Sequence, residues 1–210
     1  MDHLTCGQLQ EMLLKVSEKI VASEPLLTEL DTVIGDGDHG FGMRIGFSAV
    51  AKELTGRSWN SPYDLLKETG MTLIRVMGGT SGVIFGTLFI GGLSSLEGKE
   101  SLSVQDFADY IDMGTKSIAR RGRTSRGDKT MYDALIEASE SLLASASSGE
   151  SFEAAFEKAY TAAKQGVENT KSMLSKKGRS KNFKDKTLGH PDTGAVSVSL
   201  IFEAFRETIR

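Results

Sequence analysis

Leu9, Met12, Leu13, Val16 and Ile20 recur at spacings of three and four, the period at which side chains return to one face of an α-helix. The pattern repeats with Met43, Phe47, Val50 and Leu54, with Leu65, Leu66, Thr69, Leu73 and Val76, and with Phe107, Tyr110, Ile111, Gly114 and Ile118. Further stripes are Met131, Leu135, Leu142 and Leu143; Phe152, Ala155, Phe156, Ala159, Ala162 and Ala163; and Val196, Leu200, Ala204 and Phe205. Residues 82–93 are apolar on nearly every side and carry Gly86, Gly91 and Gly92, which reads as a buried helix closely approached by its neighbours. No segment shows the alternation of a half-buried strand. The sequence therefore predicts an all-α bundle of about eight helices.

Boundary residues fit that reading. The first helix is expected to stop near Pro25, the third to start at Ser61-Pro62, another to be capped by Ser103, and the last to follow Asp192. Three prolines, no low-complexity linker and no internal repeat suggest one domain over residues 1–210. If the helices alternate up and down, the connections Asp31–Gly42, Gly78–Gly82, Arg120–Thr130 and Lys176–Gly194 follow helices one, three, five and seven, and fall at one end of the bundle.

Charge and cysteine content narrow the function. Twenty-five basic against 28 acidic residues give a net charge of −3, which argues against general nucleic-acid binding. Cys6 is the single cysteine, so neither an internal disulfide nor a cysteine-based zinc site can form. The apolar run Val83–Leu93 is too short and glycine-rich to span a bilayer. Met1–Gln10 lacks a basic head and an apolar stretch, so no secretion signal is read and a cytoplasmic location is expected.

The connection "LDTVIGDGDHGFGM", Leu30–Met43, matches G-x-G-x-x-G at Gly35, Gly37 and Gly40. A dinucleotide-binding loop needs a preceding strand and bare amides facing pyrophosphate. Here a helix precedes, and carboxylates stand where they would repel phosphate. Asp31, Asp36 and Asp38 instead suit a hard cation. An EF-hand fails, since the twelfth position from Asp36 is Phe47. Magnesium that also holds phosphate oxygens fits better. "GGTSG" at residues 78–82 offers the hydroxyls of Thr80 and Ser81 and a helix start for phosphate, although helix capping explains it equally well. The basic runs "RRGRTSRGDKT" and "KKGRSKNFKDK" each read alone as solvated loops. Beside the acidic loop, they suit the phosphates of a nucleotide. His39 and His190 each sit beside glycine and read as hydrogen-bonding groups.

Five segments, "LDTVIGDGDHG", "GMTLIRVMGGTSGVIFGTLF", "RRGRTSRGDKTMYDAL", "KKGRS" and "LGHPDTGAVS", resemble in order and spacing the L subunit of dihydroxyacetone kinase (DhaL), its nucleotide-binding component. The resemblance implies an eight-helix antiparallel up-and-down barrel with the nucleotide at one end. It implies that Asp31, Asp36 and Asp38 hold two Mg2+ ions on the phosphates of ADP or ATP. It places His39, Gly40, Phe41, Gly42, Thr80, Ser81, Gly122, Thr130, Met131, Arg179, Asp192, Thr193 and Gly194 at the nucleotide, with Arg179 and Thr130 as the catalytic candidates at the phosphates. Two departures stand out: Gly42 replaces the family's common asparagine, and Thr193 replaces a common proline.

The resemblance further implies a phosphotransferase acting on an alcohol group, as one subunit of a phosphoenolpyruvate-dependent kinase. A K subunit would hold dihydroxyacetone, and an M subunit would recharge bound ADP. The alternatives are an ATP-dependent kinase for another short ketose or polyol such as erythrulose, and a non-catalytic nucleotide-sensing module.

Overall fold

The computed structural model describes residues 1–209. Among the described residues the helices are α1 (Cys6–Ala22), α2 (Glu24–Ile34), α3 (His39–Leu54), α4 (Pro62–Met77), α5 (Gly79–Ile90), α6 (Val104–Gly122), α7 (Met131–Ser147), α8 (Phe152–Thr170) and α9 (Thr193–Thr208). Two 3-10 segments, Leu93–Leu96 and Ser180–Thr187, interrupt the connections. The all-α fold class holds.

Local chemistry explains most boundaries. Ser61 accepts a hydrogen bond from the Asp64 amide with Pro62 opening α4, and Ser103 forms a reciprocal capping box with Asp106 at α6. Asp192 accepts from the Ala195 amide at α9. Each such cap stabilises its helix by about 1 kcal/mol.

Three expectations need correction. The first helix does end near Pro25, at Ala22, but the connection expected after it is partly helical. Pro25 sits in the first turn of a separate helix, α2, where its missing N–H would have no intrahelical partner anyway. This ninth helix carries Asp31, so the acidic connection is only Gly35–Asp38. Likewise Gly78 alone separates α4 from α5, so Thr80 and Ser81 lie in a first helical turn rather than a loop. Third, a short ladder does exist: β1 (His3–Thr5) pairs antiparallel with β2 (Ser101–Ser103), with Leu4 opposite Leu102. Three-residue strands are too short to show a period.

The stripes locate the core with few exceptions. Leu9, Met12, Leu13, Val16 and Ile20 are all buried, as are Met43, Phe47, Val50 and Leu54. Val76 is exposed. Of the stripe expected on α9, Ala204 and Phe205 are buried, while Val196 and Leu200 pack at the edge of the core; Ala195, Val198, Ile201 and Phe202 complete the inner face. Phe107 is the centre of an aromatic cluster, with ring centroids 5.2 Å from Phe156, 5.7 Å from Phe205 and 6.1 Å from both Phe152 and Tyr110. The alanine-rich α8 lies close against α7: a Cβ at Gly166 would stand 2.6 Å from the Ala134 Cα, so only glycine allows that approach.

The window Gly79–Leu96 is apolar enough in composition for a membrane span, with mean hydropathy 1.4. It comprises α5, a break and a 3-10 turn, and buries Phe85, Leu88, Phe89, Leu93 and Leu96 in the core. Far from the connections that follow α2, α4, α6 and α8, the β-ladder precedes α6, and the Met1 ammonium pairs with Glu153 at 2.8 Å.

Replacing Phe107 with alanine removes the hub of the cluster. We expect a loss of about 3–5 kcal/mol, read as a lower urea midpoint with the helical signal retained in water.

Candidate functional site

The connections after α2, α4, α6 and α8 meet around one cleft of ≈ 760 Å³. The convergence expected from helix parity is therefore present, with α2 added to the count. Of the candidate residues, Asp31, Asp36, Asp38, His39, Phe41, Gly42, Thr80, Ser81, Gly122, Thr130, Met131, Arg179, Asp192, Thr193 and Gly194 line it. Gly40 does not: it is buried against α2, where a Cβ would stand 2.3 Å from Thr28 Oγ1 and 2.5 Å from the Glu24 carbonyl. It lets α3 start close to α2 and so brings Asp31 beside Asp36 and Asp38.

Each of those aspartates offers a carboxylate oxygen within 4.8 Å of the others. Asp31 approaches from the last turn of α2 and accepts from the His39 amide at 3.3 Å. Asp36 pairs with the Arg179 guanidinium, and Asp38 lies 3.9 Å from it. Crowded carboxylates require a counter-charge, and the guanidinium supplies one here. Oxygen donors without soft ligands suit a hard divalent ion such as Mg2+, so the donor set fits one.

Two helix N-termini open here without side-chain caps, those of α3 and α5. Apart from the His39 amide of α3, which donates to Asp31, the amides left unpaired there suit an anion, and Thr80 and Ser81 add exposed hydroxyls in the first turn of α5. The α7 N-terminus differs. Thr130 caps it through the Tyr132 amide at 3.2 Å and lies 3.1 Å from Thr124 Oγ1, while Asp133 accepts from the Thr130 amide at 2.8 Å and the Gly127 amide at 2.5 Å. The Thr130 hydroxyl is thus held by its own helix. Ile84, Phe85, Ile118 and Met131 provide an apolar wall, suited to a planar ring.

His39 faces Ser197, with Nε2 2.8 Å from Oγ. Burial holds its pKa down at about 4, against the opposing pull of Asp31, so the ring is neutral at pH 7. His190 is exposed and offers its backbone carbonyl rather than its ring to the network described next.

Lys129 lines the cleft and is the buried charge that pattern reading missed. In the basic run it read as solvated, yet its side chain is among the largest fully buried ones, at 1% exposure. Its Nζ donates to the carbonyls of Thr170 at 2.6 Å, Thr187 at 2.7 Å and His190 at 2.6 Å. Burial lowers its pKa, while Asp192 and Asp133 act the other way. No spacing in the sequence marks this; a left-handed backbone (φ +58°) after Asp128 is the only local sign.

An end-of-bundle cleft with clustered carboxylates, open helix N-termini and an apolar wall has the donor set that suits a metal–phosphate ligand. The sequence matches the DAK2 domain over residues 33–207, and the chain belongs to that family. It is 34% identical over 200 residues to the "PEP-dependent dihydroxyacetone kinase, ADP-binding subunit DhaL" of Escherichia coli (strain K12), covering 95% of each chain. It is 33% identical over 188 residues to the "L-erythrulose kinase" of Pectobacterium atrosepticum, covering 88% of this chain and 32% of that one. Its fold matches the dihydroxyacetone kinase of C. freundii solved with AMP-PNP and Mg2+, with TM-score 0.75 and 28% identity over 94% of this chain. This chain spans about a third of that kinase, 33% of its length.

Asp192 gives a test of the site's electrostatics in the metal-free protein. Burial pushes its carboxyl up to about 7 from an ordinary 3.8; the Ala195 hydrogen bond and Lys129 oppose this, and Asp133 and Asp31 add to it. A carboxyl raised in the fold contributes stability that is fully present below its unfolded pKa and lost as pH climbs through about 7. The lowered His39 pKa acts with the opposite sign below about pH 6.5, so the comparison must be with a variant. Relative to Asp192→Asn, the wild type should lose urea resistance between about pH 5 and about pH 8.

Proposed function

We propose that this chain is the nucleotide-carrying subunit of a phosphoenolpyruvate-dependent dihydroxyacetone kinase. It would hold ADP or ATP and pass a phosphoryl group to dihydroxyacetone on a separate K subunit, with an M subunit recharging the ADP. The carrying observation is that the aspartate cluster and two uncapped helix N-termini share one cleft with an apolar wall. The near end-to-end match to an ADP-binding subunit supports this reading, as does the match to a kinase solved with AMP-PNP and Mg2+. On this reading residues 1–210 act as one nucleotide-binding domain in the cytoplasm.

Asp31, Asp36 and Asp38 would hold two Mg2+ ions, which supply charge neutralisation and Lewis acidity when bound. The chain's own groups do the rest. Amides at the starts of α3 and α5, with the Thr80 and Ser81 hydroxyls, donate to phosphate oxygens. The exposed guanidinium fork of Arg179 suits a transferring phosphoryl group. Neutral His39 hydrogen-bonds rather than adding charge. The apolar wall beside Gly122 and Met131 takes the base, and Asp192, Thr193 and Gly194 continue the lining next to Met131. Apart from the carboxylates committed to the cation, the carboxyl groups of the cleft include Asp192, whose oxygen is engaged by the Ala195 amide at the start of α9. That fits a phosphoryl transfer governed by positioning and electrostatics, with the acceptor hydroxyl activated on the other subunit.

Gly42 favours a second reading, an L subunit of a kinase that uses freely exchanging ATP to phosphorylate another short ketose or polyol such as erythrulose. It lines the cleft, and a Cβ there would meet nothing within 4 Å. The asparagine common in the family would fit, and its absence removes a potential phosphate contact. The "L-erythrulose kinase" match is of similar identity.

Native mass spectrometry of the purified chain should show one ADP with two Mg2+ ions. The Asp36→Ala, Asp38→Ala double variant should lose the metal and partner-dependent transfer together; surviving transfer would refute the metal-clamp reading. Gly42→Asn should slow ADP release about tenfold, as expected for one added charge-assisted hydrogen bond. Stopped-flow displacement of a fluorescent ADP analogue measures it. Wild-type release that is already fast and unchanged by an M subunit would favour the free-ATP reading.

A further inference from the structure

The chain between α8 and α9, residues 171–192, is its longest connection between helices. It carries Arg179 over the cleft and delivers Asp192 to the start of α9. Its first and last parts are tied together at the base. The Gly189 amide donates to the Lys171 carbonyl at 2.8 Å, the Asp192 amide to Thr170 Oγ1 at 2.9 Å, and the Ser175 amide to Thr187 Oγ1 at 3.2 Å.

At the centre of this base stands a side chain from another connection. The Lys129 ammonium has three N–H donors, and three backbone carbonyls meet it, from Thr170, Thr187 and His190. One lies before the connection and two near its end. Burying an ammonium is costly unless every donor is matched, so this arrangement is selective for geometry. An apolar side chain of the same size would leave three carbonyls facing it. The neighbouring Asp128 repeats the tie through its own carbonyl, which accepts from the Lys176 amide at 3.1 Å. Its carboxylate lies 3.3 Å from the Lys176 ammonium and 3.8 Å from that of Lys177.

We propose that Lys129 is a positioning residue that holds the Arg179-bearing connection in its nucleotide-binding arrangement, and that its carbonyl cage, once emptied, accepts a primary alkylammonium ion in its place. The inference rests on the nucleotide reading of the cleft. Lys129 acts through Arg179 and the α9 start, not by touching the transferred group.

Lys129→Gly is the test variant. It keeps a residue at ease with the positive φ and removes the whole side chain, which n-butylammonium reproduces atom for atom. Mg-ADP affinity should fall on the order of tenfold to a hundredfold, the scale of lost charged hydrogen bonds. n-Butylammonium should restore part of it, whereas tetramethylammonium, which has no N–H donor, and sodium at equal ionic strength should not. In Lys129→Met the retained stem fills the cage, and no amine should rescue.

Hydrogen exchange without nucleotide provides the second readout. In Lys129→Gly the amides of Ser175, Gly189 and Asp192 should exchange faster, with α1 and α4 unchanged. Wild-type affinity in the variant, equal rescue by tetramethylammonium, or acceleration spread over every helix would each overturn the proposal. If the wild type itself binds no nucleotide, the functional reading falls, and the exchange pattern still decides whether Lys129 pins the connection. Should Lys129→Gly not fold, 15N-labelled lysine in the wild type decides the cage. One ammonium signal protected from solvent exchange at neutral pH supports it, and its absence overturns it.

Discussion

A buried ammonium needs as many acceptors as it has donors, and carbonyls that meet it must come from chain held in place. Lys129 imposes that condition on the polar end of this bundle. Its acceptors belong to the end of α8, the 3-10 segment and the residue two before Asp192. The connection after α6 and the connection after α8 therefore cannot settle independently. The backbone at Lys129 takes a left-handed conformation, which costs roughly 1–2 kcal/mol for a residue with a Cβ. Hydrogen bonds to a charged group, at about 1.5–3 kcal/mol each, offset that. The long connection, with few apolar residues to bury, gains its order from this contact.

The electrostatics of the cleft follow from the same packing. Burial discourages charge on His39 and Asp192, whereas Asp36 and Asp38 of the aspartate cluster are exposed to solvent. The negative charge is thus concentrated where solvent and cations reach it, while the adjoining walls stay neutral or offer N–H donors. Arg179 pairs with Asp36 at the cluster's edge, so a cation from the chain balances the site. A ligand bringing its own divalent ions with its phosphates replaces one charge balance with another.

Much of this was legible in the sequence because helical periodicity and capping are local. The stripes at Leu9–Ile20 and Met43–Leu54 fall on buried faces, and Ser61, Ser103 and Asp192 cap the helices that follow them. The rejected dinucleotide fingerprint shows the same logic, since a helix precedes Gly35. What escaped was non-local. Pro25 can end one helix or open another, and the choice depends on α2 packing against α3 through Gly40. On α9 the stripe caught Ala204 and Phe205 and missed Val198, Ile201 and Phe202, because the neighbouring helices decide how wide the covered face is. Lys129 escaped for the strongest version of that reason: its acceptors lie 41, 58 and 61 residues away.

The helix starts that meet at the cleft are of two kinds, capped in α7 and α9 and open in α3 and α5. Helices α1, α4, α6, α7, α8 and α9 close their N-termini with their own side chains. Those of α3 and α5 have no such cap and line the cleft. An uncapped helix start gives up about 1 kcal/mol of local stability and leaves unpaired amides that water or an anion must satisfy. In α5 that cost is carried by the most apolar helix of the bundle, with Phe85, Leu88 and Phe89 buried in the core. In α3 it is carried by the buried stripe Met43, Phe47, Val50 and Leu54. Strong core packing one turn further in lets these two ends remain open, and their amides stand beside the aspartate cluster, the combination that suits a phosphate bridged by a cation.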